Sequence, residues 1–154
     1  MSREIEKKYL VNIFPEISDN IIRNEIMQGY VFITDSMELR LRKKSDKYFQ
    51  TIKTGEGLNR GEFEVELSAN QFDVLWPLTE NKRVEKTRYE INYSGFLVEL
   101  DVYKGILGGL MTAEVEFNSE DEIQNFNPPD WFGEDITLDK RYKNKSLALN
   151  GRPK

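Results

Sequence analysis

Glu4-Ile5-Glu6-Lys7-Lys8, near the start of the chain, carries Glu4, Glu6 and Lys8 at alternate positions. Side chains along a β-strand point to opposite faces in turn, so these three charges share one face. The alternation returns as Arg40 and Arg42 in ELRLR (38–42), and as Glu62 and Glu64 in EFEVEL (62–67). It returns again as Lys86 and Arg88, as Glu99 and Asp101 in VELDVY (98–103), and as Glu114 and Glu116 in AEVEF (113–117). Lys53 closes FQTIK (49–53) on the same pattern. Most of the positions between them are apolar: Leu39 and Leu41; Phe63, Val65 and Leu67; Leu100 and Val102; Val115 and Phe117. Whether the charged faces look out to water or in at one another decides both fold and function.

A length of 154 residues fits one domain, 1–154, with a single core. Hydrophobic residues make up 38% and aromatics 12%, enough for a globular fold. No apolar run approaches the roughly 18 residues that a membrane-spanning helix needs, so no membrane partner is expected. The N-terminus is charged from residue 3, so no signal peptide is expected. The chain has no cysteine, which excludes disulfides and thiolate zinc and suits the cytoplasm. It also has no histidine, which removes serine–histidine hydrolysis, histidine phosphotransfer and imidazole-bound metals. A metal would have to sit on carboxylates, which selects hard cations such as Mg²⁺ or Mn²⁺. A net charge of −5 offers no basic excess for nucleic acid.

The periodicity predicts strands over 3–11, 30–34, 37–43, 47–53, 61–67, 82–92, 96–104 and 111–117. Hairpin turns are expected at Lys44-Ser45-Asp46 and Asn92-Tyr93-Ser94-Gly95. Ser18-Asp19 reads as the cap of a helix over 19–27, with Ile21, Ile22 and Ile26 on its stripe and Gly29 as its end. Ser68 caps a second helix through about Leu78, Ser119 with Glu122 a third, and a last helix covers 144–150. Strands joined as hairpins with a few short helices give an α+β antiparallel sheet rather than βαβ crossovers. The glycine-containing stretch 55–61 misses the dinucleotide fingerprint by one residue and precedes a strand, so it reads as a loop. Trp76 and Trp131 read as packing anchors.

For one strand alone, a solvated charged face is the ordinary reading. Two features bring the inward reading level with it. The charged pairs are tight and segregated by sign, unlike the mixed polar faces that meet water. The apolar faces of so many strands also exceed what a few helices could cover on a flat sheet. A sheet curled into a barrel of about eight strands has room inside for one small ligand. Acidic and basic faces in one tunnel suit a polyanion held with divalent metals.

The ordered set EIEKK (4–8), LRLR, FQTIK, EFEVEL, EKTRYEI, VELDVYKG, LGGL, AEVEF, PPDWFGEDIT, DKRYKN and SLA resembles the CYTH superfamily, the triphosphate tunnel metalloenzymes, over residues 3–151. The resemblance implies an eight-stranded antiparallel β-barrel with a few short helices packed outside. It implies that the tunnel binds a triphosphate and one or two divalent ions. Glu4, Glu6, Glu62, Glu64, Glu114 and Glu116 are then the expected metal ligands, supported by Glu99 and Asp101. Lys8, Arg40, Arg42, Lys53, Arg88 and Arg141 are the expected phosphate-binding cations. Lys86, crowded by like charges, is the candidate base with metal-activated water as the simpler account, and Tyr30 offers a hydroxyl beside it.

The implied activity is metal-dependent hydrolysis of inorganic tripolyphosphate or a nucleoside triphosphate. Alternatives are cyclisation of ATP as in class IV adenylyl cyclases, thiamine triphosphate hydrolysis, or a non-catalytic polyphosphate-binding module. A homodimer is a further expectation left open by the sequence.

Overall fold

The computed structural model describes residues 5–55 and 61–154. Glu4 and most of the 55–61 loop lie outside the described residues. The charged, alternating stretches become strands: β1 (Ile5–Val11), β2 (Ile22–Ile33), β3 (Met37–Lys44), β4 (Lys47–Thr54), β5 (Gly61–Leu67), β6 (Arg83–Tyr93), β7 (Phe96–Tyr103), β8 (Met111–Phe117) and β9 (Phe132–Asp135). Three short α-helices accompany them: α1 (Ala69–Leu75) between β5 and β6, α2 (Glu120–Asn125) between β8 and β9, and α3 (Asn144–Asn150) after β9. The strands form one sheet in the order β5-β4-β3-β2-β6-β7-β8-β1-β9. Every neighbouring pair runs antiparallel.

The α+β antiparallel class is the expected one, with two differences of detail. Nine strands are described where eight were expected, because β9 has four residues, too few to carry a period of two. The sheet also curls without closing, since β5 and β9 end it as edges among the described residues.

The helix expected over 19–27 is wrong: Ile22–Ile33 is a strand. Ile21, Ile22 and Ile26 carry a helical spacing, but Asn24, Ile26, Gln28 and Tyr30 also alternate with outward residues. That second pattern wins because β2 is central, bonded to β3 on one side and to β6 on the other. Pairing on both edges outweighs a weak local propensity. Gly29 therefore ends no helix. A Cβ there would lie 2.6 Å from Thr79 Cβ and 2.9 Å from Trp76 Cζ3, so only glycine lets the turn at 76–79 pack against β2.

Other local signals match. Ser68 and Gln71 form a capping box at α1, and Ser119 accepts from the Glu122 amide at α2. Ser94 and Gly95, both with positive φ, make the two-residue turn between β6 and β7. Trp76 stacks on Phe72 and Trp131 meets Phe132 edge-on, so both tryptophans pack as anchors.

Two apolar clusters lie on opposite faces of the sheet. Outside, Tyr9, Val98, Leu100, Ala113, Val115 and Phe117 pack beneath Phe126 and Phe132. Inside, at one end of the tunnel, Leu147 and Ala148 of α3 pack on Tyr30, Val84 and Tyr103. The last helix therefore fills one mouth of the tunnel. No described helix is long and apolar enough to cross a membrane.

Candidate active site

Register places the charged positions side by side on the concave face. Glu6 lies opposite Glu116, and Lys8 and Glu99 both lie opposite Glu114. Arg88 faces Asp101, Arg40 faces Thr51, and Lys53 has Glu38 on one side and Glu62 on the other. A cavity of about 350 Å³ opens between these walls. That is within the roughly 300–1,000 Å³ of small-ligand sites. Glu6, Lys8, Tyr30, Arg40, Lys53 and Glu114 line it, so six of the expected residues meet in one space.

One wall is acidic. The carboxyls of Glu6 and Glu114 share a hydrogen bond, which, with burial and repulsion from Glu114, Glu116 and Glu99, raises Glu6 to about 8. Burial pushes Glu114 up, but the bond from Glu6 and the Lys8 charge bring it below its usual range. Burial, with Glu114 nearby, raises Glu99 despite Arg88. Lys8 Nζ stands 3.7 Å from Glu114 and donates to the Tyr142 carbonyl at 2.7 Å.

The other wall is basic. Burial, with Arg40 and Arg88 close by, lowers Arg42 to about 10, and its Nε donates to Gln28 Oε1 at 2.7 Å. Burial and Arg40 lower Lys53. Gln28 Nε2 in turn donates to the Tyr30 hydroxyl at 2.8 Å. Burial raises Tyr30, which keeps its proton. Thr51 donates to Glu64 at 2.9 Å, and Arg40 Nη2 lies 4.0 Å from the same oxygen. Buried Arg40 Nε has no hydrogen-bond partner among the described residues.

Below the cavity lies a buried ionic network. Asp101 accepts from Arg88 Nε and Nη2 at 2.7 and 2.9 Å and pairs with Lys86 Nζ at 2.8 Å. Burial opposes its charge, yet Lys86 and Arg88 hold it down at about 2. Arg88 also reaches Glu99 at 3.1 Å. Lys86 is not in the cavity lining: it is 1% exposed and lowered first by burial, with Asp101 opposing.

Arg141 is not brought to this group: it is exposed and forked on Asp139. Glu62 and Glu64 on edge strand β5 and Glu116 on β8 are exposed. These three, like Arg42, Arg88, Glu99 and Asp101, stand beside the cavity residues without lining the cavity themselves. Glu4 lies outside the described residues. Conversely, Glu38, Gln28, Asn144 and Lys145 line the cavity without having been predicted. Glu38 stands two residues before Arg40 in the same alternation, a signal that was readable. Gln28 was hidden by reading its segment as helix.

The donor set on the acidic wall is all carboxylate oxygen, which fits a hard divalent cation, and Glu6 and Glu114 crowd as a dication would relieve. Among the described residues no three such groups already stand in ligand geometry.

A curled antiparallel sheet with carboxylates on one inner wall and guanidinium and ammonium groups on the other is a tunnel built for an anion and its cation. The CYTH domain family model matches residues 2–148, and the chain belongs to that family. Membership implies dependence on a divalent metal ion. The chain is 52% identical to an inorganic triphosphatase of Nitrosomonas europaea, over 96% of this chain and 97% of the relative. It is 34% identical to an inorganic triphosphatase of Acetivibrio thermocellus, over 97% and 96% respectively. A crystal structure of an inorganic triphosphatase superposes with a TM-score of 0.83 at 50% identity, covering 97% of this chain and 96% of that one.

Proposed function

We propose that this protein is a cytoplasmic hydrolase cleaving a phosphoanhydride bond of a linear triphosphate, inorganic tripolyphosphate foremost, with Mg²⁺ or Mn²⁺. The observation that carries this reading is the single cavity with Arg40, Lys53 and Lys8 facing it beside Glu6 and Glu114. Phosphoryl transfer asks for positioning and charge neutralisation more than for covalent chemistry. Arg40, Arg42 and Lys53 hold phosphate oxygens, and Lys8 bridges from the acidic wall. Glu6, Glu114 and Glu116 would hold the metal, with Glu4 and Glu64 as further carboxylates. A bound dication neutralises phosphate charge and lowers the pKa of coordinated water. Tyr30, protonated and fixed by Gln28, donates to the substrate or to the attacking water. Lys86 serves as a positioning residue rather than the base, because its ammonium is buried, paired with Asp101 and outside the cavity lining.

The test is turnover with tripolyphosphate, ATP and thiamine triphosphate in Mg²⁺ or Mn²⁺, measuring orthophosphate and cyclic AMP. We expect orthophosphate from tripolyphosphate, lost in EDTA. Cyclic AMP from ATP as the main product, or no turnover of any of the three, would overturn the proposal.

A further inference from the structure

The C-terminal helix is built into the cavity wall. Leu147 and Ala148 of α3 are buried against Tyr30, Val84 and Tyr103. At the helix start, Asn144 Oδ1 accepts from the Tyr103 hydroxyl at 3.1 Å and from Lys86 Nζ at 3.3 Å. This latch ties α3 to the same buried network that holds Arg88. It fixes the next residue, Lys145, between two hollows: the main cavity and a smaller one of about 60 Å³. Both are also lined by Lys53 and Glu38. Lys145 is half-buried and forms no ion pair among the described residues. Glu38 shares both hollows but does not come within ion-pair distance, so this half-buried ammonium has no protein anion in contact with it among the described residues. It is well placed for an anion entering the cavity.

We propose that Lys145 is a further phosphate-binding residue and that Asn144 is its positioning residue. The helix that closes the tunnel mouth thereby contributes a cation to the substrate site, opposite the acidic wall. This rests on the triphosphate reading above. Lys145 rides on a packed helix rather than a loop, so little side-chain and backbone freedom remains to be lost when phosphate binds.

The test compares Lys145→Ala, Lys145→Arg, Asn144→Ala, the double variant, and Lys140→Ala as a control. The control removes the same charge from an exposed site outside the cavity. Readouts are KM and kcat for tripolyphosphate, and the rise in Tm that tripolyphosphate gives in EDTA, where nothing turns over. We expect Lys145→Ala to raise KM about tenfold, equivalent to about 1.4 kcal/mol. It should also shrink the ligand-induced rise in Tm while the ligand-free Tm holds. Lys145→Arg should keep KM within about threefold of wild type, and Lys140→Ala should match wild type.

Asn144→Ala should raise KM in the wild-type background and much less in the Lys145→Ala background, since it acts through Lys145. Wild-type binding with an unchanged Lys145→Ala overturns the inference and leaves the triphosphate reading standing. Absence of any wild-type response to tripolyphosphate overturns both. Equal losses in Lys145→Ala and Lys140→Ala reduce the effect to general charge and also overturn it.

Discussion

Asp101→Asn keeps the shape of a side chain that is 1% exposed and removes its charge. Three donors converge on it: Arg88 Nε at 2.7 Å, Arg88 Nη2 at 2.9 Å and Lys86 Nζ at 2.8 Å. Arg88 retains Glu99 at 3.1 Å, but Lys86 is left buried with only Asn144. Breaking a buried pair from one side costs about 3–5 kcal/mol. For a chain of this size that is a fall of about 6–20 °C in Tm, read by near-ultraviolet circular dichroism in the absence of ligand. Removing Lys86 as well, as Lys86→Met with Asp101→Asn, takes away the orphaned charge and should recover most of the loss. Acid melts give an independent reading. Asp101 falls from 3.8 to about 2 on folding. That stabilises the fold by about 2–3 kcal/mol above pH 4 and is lost as pH falls toward 2. Asp101→Asn should lose that dependence. A Tm within about 3 °C of wild type, or a double variant worse than the single, would refute the buried network as drawn.

Arg40→Ala removes a charged phosphate donor from the cavity wall, worth about 1.5–3 kcal/mol, and should raise KM for tripolyphosphate by about 10–150-fold. An unchanged KM would place Arg40 outside the substrate site. Gly29→Ala forces a methyl to 2.6 Å from Thr79 Cβ. Overpacking of that kind costs about 1–3 kcal/mol, so Tm should fall by about 2–12 °C, and a melt within 1 °C would mean that the turn at 76–79 gives way freely. Glu6 is raised on folding from 4.5 to about 8, so its proton stabilises the fold below pH 4.5, and that contribution is lost as pH rises through 8. Metal-free Tm should therefore decline from pH 5 to 9 in the wild type and be flatter in Glu6→Gln; equal slopes would remove Glu6 as the source.

The charged faces were legible because period two survives in most strands, several with tight same-sign pairs such as Arg40 and Arg42 or Glu114 and Glu116. The local stops were legible as well: Ser68 at α1, Ser119 at α2, and Ser94-Gly95 between β6 and β7. Ile22–Ile33 was misread because isoleucines spaced for a helix stripe can equally sit on a strand. Its partners, β3 and β6, are far away in sequence. Lys86 was assigned by face alone, and alternation says nothing about depth. Asn144 and Lys145 carry no period and enter the site only because α3 folds back into the tunnel mouth. Arg141, three residues earlier, turns to Asp139 instead. A charged residue near a chain end gives no sign in sequence of which way its turn will aim it.

The central claim is that the inward charges hold a triphosphate and its metal together in one cavity. A crystal structure with tripolyphosphate and Mn²⁺, with anomalous scattering recorded at the manganese edge, tests it most directly. The account predicts an anomalous peak at the carboxylates of Glu6, Glu114 and Glu116, with phosphate oxygens against Arg40, Arg42 and Lys53. Phosphates bound on the outer surface, or manganese away from those three glutamates while the cavity stays free of phosphate, would contradict it.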